Sequence, residues 1–309
     1  MASAAGREAK RRRRASEGGE ADAENAAGVS LGWLGEHPTD GAERLAAQGM
    51  LRVNQVIGGE ACTRLRELVD RSLAEAQSMH AAAPDEQRWD MCVPLDGSVV
   101  DVLSEVVGNL QPLLSQLFEP DAVLCELASL ITEGGATRQG LHYDTPMMTQ
   151  RDAALLITCF IALQDISDDM GPTIMLPHSA SVACHEEWQR SVRVSEQGLA
   201  DLLPGPTTAV GSLTMPVVRC AISAGDVVLM DSRLLHCAGA NLAGPRRRLL
   251  YFTVVDGGGK PLPEDAMSSM SMFEMYRDKL RLDNREEGWA AHASADGFTQ
   301  TGIDVFSGY

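Results

Sequence analysis

The apolar pattern changes its period near residue 120, and that change limits the fold more than any other feature of the chain. Before it, apolar residues recur at helical spacing. They are Cys62, Leu65, Leu68, Val69 and Leu73 in one segment (60–78) and Val100, Leu103, Val106, Val107, Leu110, Leu113, Leu114 and Leu117 in another (99–118). Such stripes mark amphipathic helices laid on a core. After it, the apolar segments are short and rich in Val, Ile, Leu and Thr: 123–131, 153–163, 173–176, 213–218, 227–230 and 249–254. Their lengths and composition suit β-strands. The breaks between them carry turn chemistry, at Glu133-Gly134-Gly135, Asp169-Met170-Gly171-Pro172, Ala224-Gly225-Asp226 and Gly244-Pro245. A short helix over 42–48 and a strand over 50–56 precede the first long helix. Helices first and many short strands after predict a mainly β domain with flanking helices, of the sandwich or barrel class.

Three regions follow. Residues 1–40 read as a disordered tail, poor in large apolar residues and holding the basic run Lys10-Arg11-Arg12-Arg13-Arg14. Residues 41–256 form the domain. Residues 257–309 read as a C-terminal extension with one helix over 272–282. A net charge of −17 opposes binding to nucleic-acid phosphates. The longest apolar run, 153–163, has 11 residues and is too short for a bilayer. Seven cysteines without a C-x-x-C pair point to a reducing compartment. The expectation is a cytoplasmic protein acting on a small molecule, without nucleic-acid or membrane partners. The basic run adds nuclear import as an option, and with it a protein substrate in the nucleus. Nothing in the pattern specifies an oligomeric state.

The chemistry concentrates in three places on the β region. His142-Tyr143-Asp144 follows a Gly-rich turn, and residues i and i+2 of an extended segment point the same way, so an imidazole and a carboxylate can face one point. His236 follows the strand at 227–230, and Arg246-Arg247-Arg248 opens the strand at 249–254. Two histidines and a carboxylate make a facial triad for non-haem Fe(II), with positions left open for a bidentate 2-oxoacid and O2. Fe(II), one Asp and 2-oxoglutarate sum to one negative charge. A single buried Arg neutralises it, and its planar fork suits the far carboxylate.

Other motifs are weaker. Gly28-Val29-Ser30-Leu31-Gly32 matches a nucleophile elbow but follows a polar tail instead of a strand. Gly257-Gly258-Gly259-Lys260 lacks the spacing of a phosphate loop. His178 and His185 read as a turn residue and a helix-start residue, and Cys237 as a small packing residue.

In five stretches the chain resembles the phytanoyl-CoA dioxygenase family of Fe(II)/2-oxoglutarate oxygenases. They are Arg138 to Asp144, Phe160 to Asp165, Met170 to Pro177, Ala224 to Asp231, and His236 to Asn241 with Arg247. The resemblance implies a double-stranded β-helix (jelly roll), His142, Asp144 and His236 as iron ligands, and Arg247 as the 2-oxoglutarate clamp. Arg247 falls six residues after Asn241, as in the family pattern, and shares strand parity with Leu249 and Tyr251. Arg246 and Arg248 then face the other way. Thr158, Phe160 and Ser129 are further candidates for 2-oxoglutarate contacts. The family commonly has Trp at Phe160, and Pro-Gly-Ser-His where this chain reads Pro177-His178-Ser179-Ala180. The implied activity is hydroxylation of a C–H bond, with a catalytically silent ligand-binding jelly roll as the alternative.

Overall fold

The computed structural model describes residues 28–79, 87–93, 95–145, 154–192, 205–256, 280–285 and 289. The basic run and most of the helix expected over 272–282 lie outside them. The chain opens with β1 (Val29–Ser30), α1 (Leu31–Glu36), α2 (Pro38–Gln48) and β2 (Met50–Asn54). Then come α3 (Gly59–Met79), β3 (Arg88–Cys92), α4 (Gly97–Leu117), β4 (Val123–Thr132), β5 (Leu156–Ala162) and β6 (Thr173–Met175). After α5 (Val182–Val192) follow β7 (Thr207–Val210), β8 (Leu213–Pro216), β9 (Val218–Arg219), β10 (Val227–Asp231), β11 (His236–Ala238) and β12 (Arg247–Val255).

The strands form a seven-stranded sheet in the order β1-β2-β10-β5-β12-β4-β3, a three-stranded sheet β11-β6-β9 and a β7-β8 hairpin. Every pairing is antiparallel except β1 with β2. Strands distant in sequence are neighbours: β12 lies between β4 and β5, and β10 lies beyond β5. This is the jelly-roll arrangement, one large and one small sheet with a space between them.

Strand parity explains the two faces. β5 is buried along its whole length, as a strand covered on both sides must be. Its Ile157, Cys159 and Ile161 pack in an outer core with Leu65, Val69, Leu103 and Leu110 of the helices. Its Phe160 and Ala162 turn inward and pack with Met175, Val218, Val228 and Tyr251 between the sheets. The helical stripes are therefore the lid on the outer face, and the inner face is left to build a site. Asp96 caps α4 by accepting from the Val99 amide at 2.9 Å, and Gly49 ends α2 in the left-handed region at φ 79°.

Several elements differ from expectation. Residues 29–40, inside the stretch read as tail, are structured: Leu34 is fully buried in the outer core and Ser30 caps α1 through the Trp33 amide. β3 has no counterpart among the expected strands. Its polar Arg88 and Asp90 alternate with buried Trp89 and Met91, and only pairing with β4 makes that an edge strand. The strand expected over 213–218 is two strands in different sheets, separated at Val217. Of the expected extension, residues 280–285 reach back to the domain: the Leu280 carbonyl accepts from the Leu124 amide at 3.0 Å, and Trp289 is buried in the outer core. No helix among the described residues is long and apolar enough to cross a membrane.

Candidate active site

His142 and His236 lie across an isolated antiparallel bridge. The His142 amide donates to the His236 carbonyl at 3.0 Å, and the reverse bond is 2.8 Å. Their rings stand 4.5 Å apart. Each ring is turned by its own backbone: His142 Nδ1 donates to the Gly140 carbonyl at 2.9 Å, and His236 Nδ1 to the Leu234 carbonyl at 2.9 Å. That leaves both Nε2 atoms unprotonated in the neutral ring and pointed at one spot. Asp144 closes the group, with Oδ1 at 3.8 Å from His142 Nε2 and 3.6 Å from His236 Nε2. The three ligand atoms lie within 4.8 Å of one another. Burial, with His236 alongside, pulls His142 below the usual imidazole pKa. The ring therefore stays neutral and ready to donate its lone pair. Two imidazoles and one carboxylate with fixed tautomers fit a divalent iron ion.

The two ligand loops are braced together. The amides of Asp144 and Thr145 both donate to the Ser232 carbonyl, at 2.9 and 3.0 Å. Arg233 grips Asp231 with Nε–Oδ1 at 2.7 Å and Nη2–Oδ2 at 2.5 Å, which holds the turn ahead of His236. α5 crosses over both. His185 is fully buried, stacks on Tyr143 at 4.4 Å, and donates from Nε2 to the Arg233 carbonyl at 2.7 Å. His185 sits inside α5 as part of that brace. His178 sits in a turn at φ 68° and contacts the Ala47 carbonyl through Nδ1.

A cavity of about 200 Å³ opens from the triad between the sheets, and Arg247, Thr158 and Phe160 line it. Arg247 is 1% exposed. Its guanidinium donates to the Gly171 carbonyl and, at 3.0 Å, to Thr132 Oγ1. Its Nε has no partner, and no carboxylate among the described residues pairs with it. Burial, with Arg88 nearby, brings its pKa down to about 9. A buried cation without a counter-ion is costly unless an anion arrives to meet it. Gly171 must be glycine for this: at φ 69°, a Cβ would sit 2.5 Å from the Gly239 carbonyl oxygen. Arg246 and Arg248 point outward. Arg246 pairs with Glu133 at 2.7 Å, and Arg248 with Asp70 at 2.7 Å.

Ser129 does not line this cavity, contrary to expectation. It is fully buried on the other face of β4, beside Leu127 and Ile131, with Oγ directed to the Met91 carbonyl at 3.5 Å. From Leu127 onward the odd-numbered residues of β4 look toward the helices, and Glu126 and Leu130 look into the cavity. Sequence reasoning misses Asp90, Glu126, Thr145, Tyr251 and Thr253, which also line it. Tyr251 and Thr253 share the parity of Arg247 and are within reach of that argument. Asp90 and Glu126 are not, because strand register alone brings them opposite.

The sequence profile of the family described as phytanoyl-CoA dioxygenase (PhyH) matches residues 45–249. Several solved structures share the fold. AviO1 from Streptomyces viridochromogenes Tue57 is 19% identical with a TM-score of 0.52, over 73% of this chain and 98% of that one. The epimerase SnoN from nogalamycin biosynthesis, with Fe3+, alpha ketoglutarate and nogalamycin RO, is 18% identical with a TM-score of 0.51, over 75% and 89%. HygX from Streptomyces hygroscopicus with nickel and 2-oxoglutarate is 15% identical with a TM-score of 0.51, over 71% and 87%. Among curated proteins, no sequence matches.

Proposed function

Since the chain belongs to the phytanoyl-CoA dioxygenase family, whose profile spans about two thirds of it, we propose that it is an Fe(II)/2-oxoglutarate-dependent dioxygenase that hydroxylates a C–H bond of a small organic substrate. The observation that carries this reading is a buried arginine, without a carboxylate partner among the described residues, in the same cavity as a His-Asp-His group. When bound, Fe(II) and 2-oxoglutarate supply O2 activation, in which substrate C–H becomes C–OH while 2-oxoglutarate becomes succinate and CO2.

This chain's residues do the rest. His142, Asp144 and His236 would hold the metal at the wall of the cavity they line. Arg247 takes the far carboxylate of 2-oxoglutarate, with its unpartnered Nε available as a donor. The Thr132 hydroxyl accepts from both Arg247 and Arg88, at 3.0 and 2.9 Å, which keeps the guanidinium in place. Asn241 donates to the Thr132 and Pro245 carbonyls at 3.2 and 2.7 Å, so the turn into β12 sets where Arg247 begins. Phe160 and Tyr251, with ring centres 5.8 Å apart, form an aromatic wall that limits water around the reacting groups.

Anaerobic titration of the purified protein with Fe(II) and then 2-oxoglutarate tests the reading. A visible metal-to-ketoacid charge-transfer band in the wild type, absent in His142→Ala, is the expected result. No band in folded, metal-replete protein would overturn it and leave a ligand-binding jelly roll.

A further inference from the structure

We propose that the substrate carries a protonated amine, recognised in the cavity by Asp90 and Glu126, with Thr145 on the same cavity's wall. This deepens the oxygenase reading and rests on it. Asp90 on β3 and Glu126 on β4 converge on one hydroxyl. Tyr251 Oη lies 3.1 and 3.3 Å from the two oxygens of Asp90 and 3.2 Å from Glu126 Oε1. A phenol has one hydrogen and can satisfy only one of the two carboxylates. Glu126 Oε2 accepts from Thr253 Oγ1 at 2.8 Å, and that hydroxyl also has a single hydrogen. Among the described residues no Arg, Lys or His pairs with either acid. The walls here thus offer more acceptors than donors.

Thr145 supplies an independent sign of a ligand. It is 3% exposed, it lines the same cavity, and its Oγ1 has no hydrogen-bond partner. A buried hydroxyl left unmatched in a cavity wall marks a place where a bound molecule completes the network.

Charge points the same way. Iron, Asp144, 2-oxoglutarate and Arg247 sum to zero, so the loaded metal side needs nothing further. The acidic pair is in excess. Burial lifts Asp90 to about 6 and Glu126 to about 8, with the neighbouring acids adding to both. Two like charges this close share a proton, and one net negative charge then remains. A monocation matches it, and an ammonium brings several N–H donors to walls that lack them.

Calorimetry of the full chain with cyclohexylamine and with cyclohexanol, at neutral pH, tests the subsite without turnover. The two probes share a ring and differ in charge. Wild type should bind the amine about tenfold more tightly than the alcohol, and the double variant Glu126→Gln with Asp90→Asn, which leaves no charge on the pair, should lose that preference while melting cooperatively. Equal binding of the two probes, no amine binding, or a preference that survives both substitutions would overturn the proposal. The amine preference is read through Asp90 and Glu126 and the charge-transfer band through His142, so failure of one is distinguishable from failure of the other.

Discussion

Replacing Glu126 by Gln should make the protein more stable where most acid-to-amide changes in a functional pocket do nothing. In the folded chain burial carries the Glu126 carboxyl from 4.5 to about 8, against the smaller opposing effect of its bond from Thr253. Between those two values the folded protein holds a proton that the unfolded chain has released. Stability from this group is therefore complete below pH 4.5 and falls as pH rises toward 8. A shift of that size, at 1.36 kcal/mol per unit, amounts to roughly 4–5 kcal/mol across the window. Gln does not titrate, keeps the shape, and can still meet Tyr251 and Thr253. The expected result is a variant similar to wild type at about pH 5 and several kcal/mol more stable by about pH 8. Asp90, lifted from 3.8 to about 6, remains in the variant and should leave a residual decline below pH 6. Urea unfolding followed by tryptophan fluorescence, from about pH 5 to about pH 9, measures this, with buried Trp89 next to Asp90. Parallel stability curves for the two proteins would refute the reasoning, because they would mean that Glu126 is charged in the folded state at no cost.

Two further substitutions separate binding from packing. Arg247→Lys keeps the charge but loses the fork that reaches both Gly171 and Thr132, so the 2-oxoglutarate midpoint in the charge-transfer titration should rise about 10–100-fold; an unmoved midpoint would remove Arg247 from that role. His185→Ala deletes the stack on Tyr143 and the bond to the Arg233 carbonyl. Metal affinity should fall about tenfold or more, while stability falls by about 1–3 kcal/mol. Unchanged metal affinity in a folded variant would show that α5 merely covers the ligand loops.

Local pattern makes much of this protein legible in the chain itself. The helical stripes at 60–78 and 99–118 correspond to α3 and α4, since each needs only its own period and an apolar face to bury. Residues i and i+2 share a side of an extended segment whatever surrounds them, which is why sequence alone pairs His142 with Asp144. The same rule sets Arg247 apart from Arg246 and Arg248. Parity is silent, however, on which side is inside. It leaves Ser129 as a cavity candidate, whereas the helices packed on the outer face take that side instead. It is equally silent on what lies opposite. Asp90, Glu126 and Tyr251 are far apart in the chain and belong to three strands whose register is set by hydrogen bonds across the sheet. No periodicity within one strand encodes that register. Chain order therefore determined the His-Asp-His set and the kind of fold. Tertiary pairing decided that a buried arginine would stand without a counter-ion among the described residues and that two acids would share one tyrosine, because both depend on which side chains the closed sheets leave facing the same space.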